Sequence, residues 1–294
     1  MSDTEQPTKT YRGNCHCGAF IFEVEAPEIK SVGDCKCSIC SKRGYLWLVP
    51  KKPLTIIKDE GKLVHYSFGS KNIDHQFCGN CGTTVMATTD KFPEMFPAKV
   101  GVNVRTLQDV DKWNLEVRTF NGDTFDPQYV APEFAGPDPN PSGFEDGKTY
   151  HGSCHCGAVT TAVRVNGSLE DGTYKEHMIE CNCSICSRGG FVWIYPTEDQ
   201  LAIQGRENLS SYTFGNHVWR RSFCKTCGVY VATDPNDLTE EQIAALPEDV
   251  RKFRAARGHH RPFNLRVLNG FDVKCVKPMR VDGWARQQPP YVNP

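Results

Sequence analysis

Short apolar runs with an alternating or β-branched character recur along the chain, for example Phe20-Ile-Phe-Glu-Val24, Leu46-Trp-Leu-Val49 and Val100-Gly-Val-Asn-Val104. A hydrophobic period near two over so few residues predicts half-buried strands, so strands and turns should dominate. One stretch departs from this pattern. Thr239-Glu-Glu-Gln242 is a capping-box sequence, Pro247 suits a first helical turn and Gly258 suits a helix stop, which predicts one or two short helices there. No apolar run reaches the roughly 18 residues that a membrane helix needs. The polar stretch Met1 to Lys9 lacks the apolar centre of a secretory signal, so a soluble, cytoplasmic protein is expected.

The pattern occurs twice. From Tyr11/Tyr150 through Cys17/Cys156 the two copies align at an offset of 139, and from Cys35/Cys181 through Cys81/Cys227 at 146. Seven residues are therefore inserted near Asn166 to Lys175. From Asn103/Asn264 to Gly122/Gly283 the offset is 161, so fifteen more residues lie between Cys227 and Asn264. Trp47/Trp193, Pro50/Pro196, Tyr66/Tyr212, Phe68/Phe214 and Gly69/Gly215 also match, so the likeness extends over a whole domain. The expected organisation is a domain over 11–122, a Pro/Gly-rich linker over 123–149 and a second domain over 150–285, with an extended, peripheral tail.

With 294 residues and a hydrophobic fraction of 39%, each copy can form a modest core. The formal charge of −1 comes from 34 basic and 35 acidic residues scattered along the chain, which gives no field to attract a polyanion or an anionic bilayer. Neither nucleic acid nor membrane is expected as a partner.

Fifteen cysteines change the picture. In a reducing compartment they are metal ligands or catalytic groups more readily than disulfides, and the spacing favours metal. Cys15-x-Cys17 and Cys78-x-x-Cys81 can close one tetrahedral four-thiolate zinc site, repeated as Cys154, Cys156, Cys224 and Cys227. Such a site is coordinatively full and acts as a staple. The remaining Cys35, Cys37 and Cys40, repeated as Cys181, Cys183 and Cys186, offer three thiolates and leave a fourth position open. An open, thiolate-rich zinc suits chemistry on a thiol. The alternative is a second structural zinc completed by another ligand, for which His16 and His155 are the near candidates, although each is sandwiched between ligands of the four-thiolate site. Cys275 stands outside the repeat in a strand-like segment and reads as a small buried residue. Asn103/Asn264 and Arg105/Arg266 read as the solvated face of a strand, and Trp47 and Trp193 as core.

Gly13-Asn-Cys-His-Cys-Gly18, Cys35-Lys-Cys-Ser-Ile-Cys40, Phe77-Cys-Gly-Asn-Cys-Gly82 and Asn103-Val-Arg-Thr-Leu107, with their second-copy counterparts, resemble the glutathione-dependent formaldehyde-activating enzyme family, which includes the centromere protein V group. The resemblance implies an all-β architecture of two tandem Mss4-like, tent-shaped zinc domains, the second carrying the short helical insertion. It implies two zincs per domain, the four-cysteine zinc structural and the three-cysteine zinc catalytic. It also implies glutathione as the thiol and a small electrophile or conjugate as its partner, in a carbon–sulfur lyase reaction such as formation of S-hydroxymethylglutathione from formaldehyde. The second copy departs at Val267, where the first has Thr106, and its helical insertion could reshape an acceptor pocket. Two other functions stay open at this point: a non-catalytic zinc scaffold for a protein partner, and a redox or zinc-storage site.

Overall fold

The computed structural model describes residues 7–122 and 129–294. The chain divides into two compact units, one holding the first repeat with Ser187–Gly190 and Val292–Pro294, the other holding Val130–Cys186 and Phe191–Tyr291. Part of the expected linker, 123–128, lies outside the described residues, and 129–147 contains only bends and turns. Closely spaced prolines there remove backbone donors and fix φ, which disfavours helix and central strand alike.

The first repeat runs β1 (Thr8–Asn14), β2 (Phe20–Pro27), β3 (Ser31–Cys35), α1 (Ser38–Arg43), β4 (Trp47–Leu48), β5 (Thr55–Asp59), β6 (Leu63–Tyr66), β7 (Asp74–Cys78), β8 (Thr84–Thr88), β9 (Val100–Asn103) and β10 (Glu116–Phe120). These strands form a three-stranded sheet, β1-β2-β5, and a seven-stranded sheet, β10-β3-β4-β9-β8-β7-β6. The β10/β3 pair is parallel and sets Phe120 opposite Cys35. In β2 the apolar Phe22, Val24 and Ala26 are buried while Glu23 and Glu25 between them are not, the period of two read from the sequence. Phe22, Phe77, Val85, Val102 and Val104 are fully enclosed and form the centre of the core.

The second repeat has the same plan: β11 (Lys148–Ser153), β12 (Thr160–Val165), β13 (Ile179–Cys181), α2 (Ser184–Gly189), β14 (Trp193–Ile194), β15 (Leu201–Gln204), β16 (Leu209–Tyr212), β17 (Trp219–Cys224), β18 (Tyr230–Pro235), α3 (Glu240–Ala244), α4 (Glu248–Arg257), β19 (Phe263–Asn264) and β20 (Met279–Val281). Its sheets are β11-β12-β15 and β16-β17-β18-β19-β14-β13-β20, strand for strand the order of the first. The insertion after Cys227 supplies α3 and α4. Thr239 Oγ1 accepts from Gln242 N at 3.2 Å while Gln242 Oε1 accepts from Thr239 N at 2.9 Å, closing the capping box. Pro247 is the N-cap of α4 and Gly258 its C-cap.

Three details differ from the sequence reading. Each three-cysteine motif contains a six-residue helix, too short to show a period of its own. Asn103 and Arg105 do not face solvent. β9 is central in its sheet and covered on both sides, and Asn103 is fully buried, its amide donating to Thr84 O and accepting from Leu46 N. Cys275 is exposed and lies in the 3-10 turn Val273–Cys275, so it is not the buried strand residue its flanking valines suggested.

Candidate metal centres and active site

In the first four-cysteine set, Cys15 and Cys17 sit in the turn between β1 and β2, Cys78 ends β7, and Cys81 lies in the β7–β8 turn. Gly18 (φ 73) and Gly82 (φ 68) take the left-handed conformation that turns the chain back so sharply. Their N–H groups donate to Cys15 O and Cys78 O respectively. The sulfur atoms all lie within 4.8 Å of one another, with Cys15 to Cys17 at 3.7 Å and Cys17 to Cys78 at 3.6 Å. A tetrahedron with zinc–sulfur bonds of about 2.3 Å has edges of about 3.8 Å, so the set fits zinc. Phe20 N donates to Cys15 Sγ at 3.3 Å, and Thr83 Oγ1 lies 3.2 Å from Cys81 Sγ. The second set repeats the arrangement, with Cys154 to Cys156 at 3.5 Å, Cys156 to Cys224 at 3.6 Å and Val159 N on Cys154 Sγ. His16 is tied into the turn of the four-cysteine site by its backbone N–H, which donates to Thr83 Oγ1 at 3.1 Å.

In the three-cysteine sets, Cys35 ends β3, Cys37 is the N-cap of α1, and Cys40 lies within the helix. The helix therefore folds three nearby sequence positions onto one point. Their sulfurs lie within 4.8 Å of one another, as do those of Cys181, Cys183 and Cys186, and among the described residues no histidine or carboxylate joins either group. Backbone N–H groups of Cys37 and Cys183 donate to Cys35 Sγ and Cys181 Sγ at 3.5 and 3.3 Å. Without a cation the thiols share protons unequally: hydrogen bonds from Cys37 and Cys40 hold Cys35 down to about 3, while burial pushes Cys40 well up. In the second set Cys183 is the one held low, by hydrogen bonds from Cys181 and Cys186, with the Arg221 charge adding to the effect. A divalent cation is what allows all three sulfurs to ionise at such separations, and the all-sulfur donor set suits zinc.

Both indoles contribute to these sets in a way the sequence reading missed. Trp47 Nε1 donates to Cys40 Sγ at 3.3 Å and Trp193 Nε1 to Cys186 Sγ at 3.4 Å. The available signal was the identical seven-residue spacing in the two copies. Trp47 also stacks on Tyr45, centroids 4.2 Å apart, which fixes the indole plane.

The first cluster opens onto a cavity of about 820 Å³. Trp47 and His75 line it from the sheet, Phe68 from the β6–β7 loop, and Phe92, Met95 and Phe96 from the β8–β9 loop. The second repeat differs in register-equivalent places: Arg221 replaces His75, Tyr195 replaces Val49, and Trp219 replaces Ile73 and meets Phe253 of α4 edge-on at 6.1 Å. Its C-terminal tail is also anchored beside the cluster, where Gln287 Oε1 accepts from Ser184 N and Oγ at 3.2 and 2.8 Å. The tail is therefore not peripheral along its whole length.

The model of the glutathione-dependent formaldehyde-activating enzyme family matches residues 10–123 and 149–248, well over half of the chain. The chain belongs to this family. Family membership supports a lyase-type activity on glutathione, and the two separate matches make the chain a tandem member, with the second match ending inside the helical insertion. Similarity also extends to the crystal structure of a Rhodobacter sphaeroides protein, 25% identical, covering 44% of this chain and 97% of that one, with a TM-score of 0.33. Four cysteine clusters, two in each family repeat, give the chain four sites that fit zinc. Among the described residues no helix is long and apolar enough to cross a membrane.

Proposed function

We propose that Cys35, Cys37 and Cys40, and in the second repeat Cys181, Cys183 and Cys186, hold the zinc of a site that joins or parts glutathione and a small electrophile. The reference reaction is addition of glutathione to formaldehyde. The glutathione sulfur bonds to the carbonyl carbon, the carbonyl π pair moves to oxygen, and that oxygen takes up a proton as the thiol gives one up. Cys15, Cys17, Cys78 and Cys81, with Cys154, Cys156, Cys224 and Cys227, are assigned the structural zincs. The observation that carries the reading is that the three clustered thiols of the first repeat face a cavity, while the four-thiol sets can fill a zinc coordination sphere by themselves.

Zinc held there would supply Lewis acidity that keeps an incoming sulfur as thiolate. The remaining work falls to the chain. The Trp47 and Trp193 indole N–H groups draw charge from Cys40 and Cys186 and fix the orientation of those sulfurs, an outer-shell role. The apolar cavity wall excludes water and holds the reactants together, so proximity supplies much of the acceleration. The fifteen-cysteine complement and a thiol co-substrate suit a reducing compartment, the cytoplasm.

The test is ¹³C-formaldehyde exchange spectroscopy with glutathione on wild-type protein and on Cys37→Ser, Cys183→Ser and the double variant, each with its zinc content measured. Wild-type exchange well above the protein-free rate, lost in the double variant with the structural zincs retained, is the expected result. A wild-type rate equal to the protein-free rate overturns the reading.

A further inference from the structure

We propose that the first repeat takes a glutathione adduct whose sulfur-bound carbon carries a bulky apolar group, aromatic by preference, and that a one-carbon adduct is not its best ligand. The proposal rests on the carbon–sulfur reading of the Cys35-Cys37-Cys40 cluster and specifies what stands on the far side of the sulfur.

The cavity at this cluster measures about 820 Å³, the size of sites that enclose drug-sized ligands. Beyond the thiols most of its wall is aromatic or aliphatic: Trp47, Phe68, Phe92, Met95, Phe96 and Phe120. Lys36 places one cation beside the cluster, and no carboxylate of the described residues lines the space. That charge suits a glutathione carboxylate; Ser38, His75 and Tyr129 add polar groups, but the rest of the wall is apolar and far larger than a hydroxymethyl group can cover. Val49, Met95 and Phe120 on its lining are 38%, 45% and 41% exposed. Large apolar side chains left open together around one concavity mark a binding surface.

The two glycines that shape the chamber are specific to this repeat. A Cβ at Gly33 would stand 2.9 Å from Phe120 Cε1, and one at Gly101 would stand 3.1 Å from Phe96 Cε1 and 3.2 Å from Trp47 Cε3. The two glycines thus make room for the rings that form the wall. Gly33 pairs with Trp47 as Ile179 pairs with Trp193, so Ile179 is its counterpart, and Pro262 precedes Phe263 where Gly101 precedes Val102. The second repeat therefore has a side chain at both positions. A hydroxymethyl adduct would leave the rings of the first repeat facing water, while a benzyl-sized group would cover them.

Isothermal titration of the zinc-loaded full chain with glutathione, S-methylglutathione and S-benzylglutathione tests this, in parallel with Phe120→Ser and Met95→Gln, each variant's fold being checked by its thermal melt and zinc content. The expected result is that S-benzylglutathione binds at least ~10-fold more tightly than S-methylglutathione, since a single methylene in an apolar pocket discriminates by roughly 10-fold or more. Both variants should bring that ratio towards one. Equal affinities for the two adducts, or a preference that survives in both variants, overturns the proposal while leaving the carbon–sulfur reading in place. Failure of glutathione and both adducts to bind overturns both.

Discussion

At the scale of single residues, side chains beside the thiols tune the site without ligating. Trp47 donates to Cys40 and is braced by Tyr45, so Trp47→Phe keeps an aromatic ring at this position but removes the N–H donor together with the five-membered half of the indole. Loss of an outer-shell partner typically lowers metal affinity or activity about 10- to 100-fold. Trp47→Phe combined with Trp193→Phe should therefore lower turnover by about that factor, measured by steady-state kinetics at a temperature where a thermal melt on the same preparation shows the variant folded. Lys112 offers a separate prediction. Burial, with neighbouring guanidinium charge adding to it, lowers its pKa from 10.5 to about 7, and its Nζ donates to Leu107 O at 2.6 Å. Between about pH 7 and 10.5 the unfolded chain holds a proton that the folded chain has released, so stability rises with pH across that window and the penalty is fully present below it. Lys112→Met should raise the denaturation midpoint at about pH 6 and lose that advantage by about pH 10. An advantage independent of pH would contradict the assignment.

At the scale of elements, what could be read from the sequence depended on the strength of each local signal. Seven cysteines in register, twice, identify all four clusters because a ligand set needs no tertiary context to be recognised. The α3 start was equally legible, since Thr239 and Gln242 cap each other within one turn. Thr239→Ala should destabilise that helix by about 1 kcal/mol and speed amide exchange over α3, with the four-cysteine cores unaffected. Hydrogen exchange read by peptide would check this. By contrast, α1 is only six residues long, Cys37 at its N-cap position makes no side-chain capping hydrogen bond, and nothing in its composition distinguishes it from a turn. The burial of Asn103 comes from the position of β9 in the middle of a sheet, a fact of strand order that its own neighbours in sequence do not carry. Cys275 failed for the opposite reason. Val273 and Val276 suggest a strand, but the Asp272 side chain accepts from Lys274 N and bends the chain into a 3-10 turn.

At the scale of the whole molecule, two kinds of zinc site in each repeat should separate by exchange rate. The four-thiol sets have every cysteine at least half-buried except Cys17, and they join the β1–β2 turn to the β7–β8 turn and the β11–β12 turn to the β17–β18 turn, so a metal held there should leave only with local unfolding. The three-thiol sets leave a coordination position unfilled by the chain. With a chromophoric chelator under native conditions, about two of four zincs should transfer quickly and two slowly, and far-UV circular dichroism should change only in the slow phase. A single phase, or loss of structure with the first zincs, would contradict the division into two kinds of site.

The parallel edge pairs have a consequence for the order of events during synthesis. Lys36 N donates to Phe120 O and Asn182 N to Val281 O, so the segment between the first two cysteines of each cluster is held by the last strand of its repeat. Cys35, Cys37 and Cys40 leave the ribosome early, while β10 follows only after most of the repeat has been made. Until then the trio hangs on an open sheet edge, reachable by any metal or oxidant in its surroundings. The staple that can form first is the four-thiol site, complete once Cys81 has emerged, well before β10. In chain order, each repeat thus has the ligands of its four-thiol site in hand before the strand that covers its three-thiol set.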